Sequence, residues 1–160
     1  MTITQNGPAD PADDAETGYE VDDDPARVDR DAVWAFLSSD AYWGRWRERT
    51  DLEHQLDASW RVVGAYRRAD GAMVGFARAV SDGRSFAYLA DVYVLPETRG
   101  SGLGKELVRV IVEEGPGRDF RWMLHTSDAH GLYAKFGFAA PDTSYMERPG
   151  GRAARGPSVT

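Results

Sequence analysis

The chain alternates between short runs of period-two hydrophobicity and longer runs whose apolar residues recur at helical spacing. Tyr19-Glu20-Val21 opens a first strand, which Asp24-Pro25 ends. Asp29 or Asp31 then caps a helix with Val33, Trp34, Phe36 and Leu37 on one apolar face. Ser38 to Gln55 mixes Trp43, Trp46 and Leu52 with Arg45, Arg47, Glu48 and Arg49, and reads as a loop plus a second, irregular helix. Ser59–Arg67 alternates through Trp60, Val62, Gly64 and Tyr66, Asp70-Gly71 is a hairpin turn, and Ala72–Val80 returns as the next strand. After the turn Ser81–Arg84, Phe86–Leu95 is apolar on both faces apart from Asp91, the pattern of a strand covered on both sides. Leu103, Leu107, Val110 and Ile111 stand at offsets 0, 4, 7 and 8, which predicts a helix over Gly102–Glu114, stopped by Gly115-Pro116-Gly117. Phe120–Thr126 reads as a strand, Ala129–Phe136 as a short helix, and Phe138 to Glu147 as one or two closing strands. The order β-α-α-β-β-β-α-β-α-β predicts an α/β (α+β) fold, a mixed sheet with helices on its faces.

Composition adds boundaries. A length of 160 residues fits one domain. Residues 1–18 are acidic and rich in Pro, Gly and Ala, and 149–160 lack an apolar pattern, so both read as disordered tails around a domain over 19–148. The net charge of −7 belongs to one end: residues 1–24 carry eight acids and no Lys or Arg, leaving 18 acids against 19 basic residues elsewhere. A near-neutral domain with an acidic tail argues against nucleic-acid binding and does not describe a substrate pocket. There is no cysteine, so no disulfide, thiolate metal site or cysteine nucleophile is available. The N-terminus lacks signal-peptide features, and no apolar run approaches the ~20 residues of a membrane span. The expectation is a cytoplasmic protein with no membrane partner.

The chemistry concentrates in Asp91-Val-Tyr-Val-Leu-Pro-Glu-Thr-Arg-Gly-Ser-Gly-Leu-Gly-Lys-Glu-Leu107. It runs from a buried strand through a short turn into a helix that begins with glycines. Backbone N–H groups at a helix N-terminus lack intrahelical partners and carry the positive end of the dipole. Glycine lets an anion approach them closely, so this turn suits a pyrophosphate, with Arg99 adding a fixed charge. A P-loop needs glycine where Arg99 stands and Ser or Thr after Lys105, where Glu106 stands. A dinucleotide fingerprint needs G-x-G-x-x-G, whereas Gly100, Gly102 and Gly104 are evenly spaced. Both fail.

The segment resembles the acetyl-CoA signature of the GNAT superfamily, R/Q-x-x-G-x-G/A, filled by Arg99, Gly102 and Gly104. A second stretch, Ala129-His-Gly-Leu132-Tyr133-Ala-Lys-Phe136-Gly137-Phe138, is similar to that family's A-x-x-L-Y-x-x-x-G-F. The two motifs come in order on the expected elements, and the element order matches from Tyr19 to Arg148. The resemblance implies a GNAT-like mixed, mostly antiparallel sheet and a direct N-acetyl transfer from acetyl-CoA to a primary amine of a small molecule or peptide. It implies that the pyrophosphate meets the turn of Arg99, Gly100, Ser101, Gly102, Leu103, Gly104 and Lys105. The pantetheine arm would pair with backbone of Val92, Tyr93 and Val94, with the Val94 N–H polarising the thioester carbonyl. A tyrosine matching Tyr133 would protonate the departing thiolate. Thr126 stands where the family often has an asparagine contacting the arm. Many members place a carboxylate on the strand that holds Asp91, which makes Asp91 a candidate base, and Tyr88 matches a position used by some relatives.

A lone carboxylate in an apolar strand needs a partner, a catalytic task or an open face. His54, His125 and His130 read as structural or surface residues; no metal site is expected, since His125 and His130 are not at a metal-ligand spacing. Tyr42, Trp43 and Trp46 are candidates for lining an acceptor pocket. Alternatives to the enzyme are a non-catalytic acyl-CoA-binding sensor, or an interaction protein using the acidic tail. A homodimer is an expectation from similar proteins.

Overall fold

The computed structural model describes residues 18–41 and 45–150. Residues 1–17 and 151–160 of the two tails, and 42–44 with Tyr42 and Trp43, lie outside the described residues. Five strands form one sheet in sequence order: β1 (Tyr19–Asp22), β2 (Arg61–Arg67), β3 (Met73–Ser81), β4 (Phe86–Val94) and β5 (Arg121–Leu124). Strands β1 to β4 run antiparallel, and β5 joins β4 in parallel. The mixed, mostly antiparallel sheet is the one expected.

Helices α1 (Arg30–Ser39) and α2 (Arg49–Asp57) cover one face. Asp29 caps α1, its carboxylate accepting the Ala32 N–H at 3.0 Å. The helix buries Val33, Phe36 and Leu37, and α2 buries Leu52 and Leu56; both pack with Phe76 and Tyr93 of the sheet. Helix α3 (Leu103–Glu113) covers the other face with Leu103, Leu107, Val110 and Ile111, joined by Val108 and Val112. The short helix α4 (His130–Ala134) follows β5.

Two local choices fix α3. An ideal Cβ on Gly75 would stand 2.9 Å from Leu107 Cδ1 and 3.1 Å from Val94 Cγ1, so the helix seats on bare backbone. At its far end, Arg61 Nη1 donates to the carbonyls of Val110, Ile111 and Glu114 at 3.0, 3.0 and 2.7 Å. The last helical bond runs from the Glu114 N–H to the Val110 carbonyl at 3.3 Å, so the Ile111 and Glu114 carbonyls lie past it, and a cation suits that end of the dipole.

Strand β4 carries the feature that shapes the site. Arg78 pairs with Asp91 and Ala79 with Leu89, so Ala90 is an extra residue opposite no partner. The bulge reverses the alternation of the strand. Leu89, Val92 and Val94 face the α3 core, while Tyr93 joins the α1–α2 core.

The closing strands expected over Phe138–Glu147 are absent among the described residues, where 139–150 are irregular. Pro141 offers no N–H, and Asp142 turns the chain by accepting the Ser144 N–H at 2.8 Å.

Candidate active site

Strand β5 pairs with β4 only from Phe86 to Leu89, ending where the Ala90 bulge begins. Beyond it, β4 runs on to Val94 against β3 alone. The Leu95 N–H donates to the Val74 carbonyl at 2.8 Å, on the β3 side. Backbone polar groups alternate along a strand, so those of Tyr93 also point to β3, and those of Val92 and Val94 point away, into the gap. The expectation for Val92 and Val94 therefore has an open edge to act through. Tyr93 does not share it: its ring stacks on Phe36 at 3.9 Å between centroids, and its backbone faces the ladder.

At the end of β4, the chain turns through Pro96–Thr98 into α3. Gly102 caps α3 at φ 83°, and Gly100 lies at φ 82°. Both are in the left-handed region that glycine occupies without strain. An ideal Cβ at either would meet nothing within 4 Å, so the backbone there faces open space. The first helical bond is Glu106 N–H to Gly102 carbonyl at 3.0 Å, which leaves the N–H groups of Leu103, Gly104 and Lys105 at the open end. Ser101 Oγ receives the Leu103 N–H over 3.4 Å and donates to the Thr98 carbonyl at 2.6 Å, bracing the turn. Arg99 and Lys105 are exposed beside it. The donor set and the space suit a pyrophosphate.

Where the sheet parts there is a pocket of about 360 Å³. Its walls include Arg47 and Gln55 from the α1–α2 side, Tyr88 and Val92 of β4, and Thr126 and Tyr133. Tyr133 meets Phe138 edge-on at 5.9 Å, so the two motif residues pack together at the wall. Thr126 Oγ1 accepts the Ala129 N–H at 3.0 Å, bracing the turn that leads into α4, the helix that carries Tyr133. Trp46 reaches the pocket rim with its ring 5.4 Å from the Arg47 guanidinium.

Asp91 has partners, and they argue against its use as a base. Its side chain is fully buried and accepts from Arg78 Nε at 2.6 Å and from Arg47 Nη2 at 2.9 Å. Burial pushes its carboxyl up, but the two guanidinium groups outweigh burial and hold it below the ordinary carboxylate value. A carboxylate so stabilised is a poor proton acceptor. The bulge turns Asp91 towards α2, where it ties the segment before that helix to the sheet.

A different chain of groups is placed to move a proton. The Tyr88 hydroxyl lies 2.8 Å from His125 Nδ1, and His125 Nε2 lies 2.6 Å from Glu147 Oε2. A carboxylate only accepts, so Nε2 carries the proton and Nδ1 accepts from Tyr88. The His125 hydrogen bond holds the Glu147 carboxyl below its ordinary value, which keeps it ionised. Burial, then the neighbouring Tyr145 and Glu147, push Tyr88 up, so it is a neutral phenol near pH 7. The sequence offered Tyr88 only through resemblance and read His125 as a structural or surface residue, and its side chain is 55% exposed. Their contact spans 37 positions and no local pattern announces it. His54 and His130 are exposed and take no part in this chain; no group of three or more metal-binding side chains occurs among the described residues.

Comparison with known proteins gives the family and the fold. The family model described as the acetyltransferase (GNAT) family matches residues 22–138. A Gibberella zeae protein named as an acetyltransferase is 34% identical over 137 residues, covering 73% of this chain and 76% of its own. A GNAT-family crystal structure from Xanthomonas campestris pv. campestris is 38% identical, covers 82% of this chain and 92% of its own, and superposes with a TM-score of 0.75. A Deinococcus radiodurans R1 structure, 23% identical over 91% of this chain and 94% of its own, shares the fold at a TM-score of 0.62. Two matched motifs, a sheet that parts beside a glycine turn and these relatives converge on one conclusion: the chain belongs to the GNAT family of acetyltransferases.

Proposed function

We propose that the protein transfers an acetyl group from acetyl-CoA directly to a primary amine. The observation that carries this reading is the free edge of β4 from Ala90 to Val94, leading into the glycine turn at α3. An extended chain ending in a pyrophosphate fits that edge and turn, because the open positions at Gly100 and Gly102 leave room against the backbone. When bound, acetyl-CoA supplies an acetyl thioester, the activated group to be transferred.

The protein's residues then have distinct tasks. The N–H groups of Leu103 to Lys105, with Arg99, hold the pyrophosphate. Val92 and Val94 pair with the pantetheine amides through the backbone facing the gap. The Val94 N–H donates to the acyl oxygen and stabilises charge developing there. An alkyl amine has a pKa near ~10.4, so its ammonium must lose a proton before it attacks. Tyr88 takes that proton while passing its own to His125 Nδ1, and Glu147 steadies the imidazolium. Tyr133 gives its hydroxyl proton to the departing sulfur and is reprotonated by the second proton that the nitrogen sheds as the amide forms. One N–C bond forms, one S–C bond breaks, and no cysteine is needed. A cytoplasmic setting, where acetyl-CoA is available, agrees with this reading.

Calorimetric titration of acetyl-CoA into the wild type and Gly102→Val tests it. Saturable binding that falls ~10-fold or more in the variant is expected, since a β-branched residue resists this φ. Absence of binding to the wild type overturns the reading.

A further inference from the structure

The acceptor side of the pocket holds an arginine whose hydrogen bonds are only partly used. The Arg47 side chain is 6% exposed, yet only Nη2 is engaged, by Asp91. Its Nε and Nη1 are buried and have no hydrogen-bond partner among the described residues. Gln55 Oε1, from α2, is in the same condition, and both residues line the pocket that reaches Tyr88 and Tyr133. Buried polar groups are nearly always paired, and the donors of a buried guanidinium are costly to leave without acceptors. Arg78 adds a second buried guanidinium at the same wall, and Asp91 bonds to both. Among the described residues Asp91 is the carboxylate paired with both guanidinium groups and offsets one of the two charges, while Asp128, at the exposed side of the same pocket, pairs with neither.

Resting on the acetyl-transfer reading above, the geometry points to an acceptor that carries a carboxylate as well as its amine: a free amino acid or a small derivative of one. The carboxylate takes the unpartnered Nη1 donor of Arg47. Gln55 Oε1 is free to accept from a donor on the acceptor's side chain. The amine lies towards Tyr88, across the pocket from the guanidinium. A guanidinium is the side chain best matched to a carboxylate, being always charged and a fixed array of donors. A volume of about 360 Å³ is near the small end of ligand pockets, which suits a single amino acid.

The test compares each of the standard amino acids with its own α-carboxamide as acceptor, following CoA release by the full-length protein. The expected result is that at least one acid is acetylated with kcat/KM ~10-fold or more above its carboxamide. In Arg47→Lys that preference collapses by ~10–10²-fold, the range for hydrogen bonds to charged groups. Lysine keeps a cation beside Asp91, so a thermal melt near the wild type's verifies that the fold is intact. Equal use of acids and carboxamides, turnover of none of the acids, or a preference untouched by Arg47→Lys overturns the inference. A parallel acetyl-CoA titration separates the two claims. Binding of acetyl-CoA with no preference for acids removes the carboxylate site alone, whereas absence of binding removes the acetyl-transfer reading beneath it.

Discussion

The Tyr88 hydroxyl stands 2.8 Å from Nδ1 of His125, at the place where β4 and β5 part. The strand pairing that ends at Leu89 holds Tyr88 beside Met123, two positions before His125. The contact is therefore set by the sheet.

His125→Ala is expected to lower kcat by ~10²-fold or more, the usual worth of a positioned proton acceptor. Tyr88→Phe should do the same, since it breaks the path between amine and imidazole. Acetyl-CoA affinity should stay within about twofold in both. Steady-state kinetics with a responsive amine, alongside calorimetry, checks this. Unchanged kcat in both variants excludes the relay.

Asp91→Asn should destabilise the fold by ~3–5 kcal/mol, because it leaves two buried guanidinium groups without their counter-charge. The pH dependence follows in sign. A carboxyl whose pKa is lower folded than unfolded contributes its full stability above the ordinary value of ~3.9, and that contribution is lost as pH falls through the lowered value. Urea melts at pH 7 and below pH 4 should show the gap between wild type and variant narrowing in acid. A pH-independent gap contradicts the ion-pair account.

Gly75→Ala tests how the glycine turn is aimed. The added methyl meets Leu107 Cδ1 at 2.9 Å, so α3 must shift or Leu107 must change rotamer, at ~1–3 kcal/mol. Since α3 carries the phosphate-binding N–H groups, acetyl-CoA affinity should fall with stability. Gly102→Ala separates the two effects. Nothing crowds its Cβ, so the cost there is the left-handed backbone alone, ~1–2 kcal/mol, and the loss of affinity should exceed that seen in Gly75→Ala.

These sites differ in how far the sequence revealed them. Arg99, Gly102 and Gly104 were legible because a strand-to-helix turn rich in glycine constrains its own local geometry. Tyr133 was legible through a second local pattern. The Ala90 bulge was not, because a strand apolar on both faces conceals a reversal of its alternation; with it went the true setting of Asp91. Arg47 lies 44 positions from Asp91 in a segment with no regular period, so only the folded chain brings them together. The closing strands over Phe138–Glu147 looked plain from residue type, but Pro141 and the Asp142 turn outweigh the few apolar residues there.

The central claim is acetyl transfer at the open edge of β4, and its most direct measurement is CoA release from acetyl-CoA across a panel of primary amines. A thiol-reactive dye reports it without background, because the protein has no cysteine. The account predicts turnover with at least one amine, an N-acetylated product, and a loss of ~10²-fold or more in Tyr133→Phe. No turnover with any amine, or turnover that Tyr133→Phe leaves intact, contradicts it.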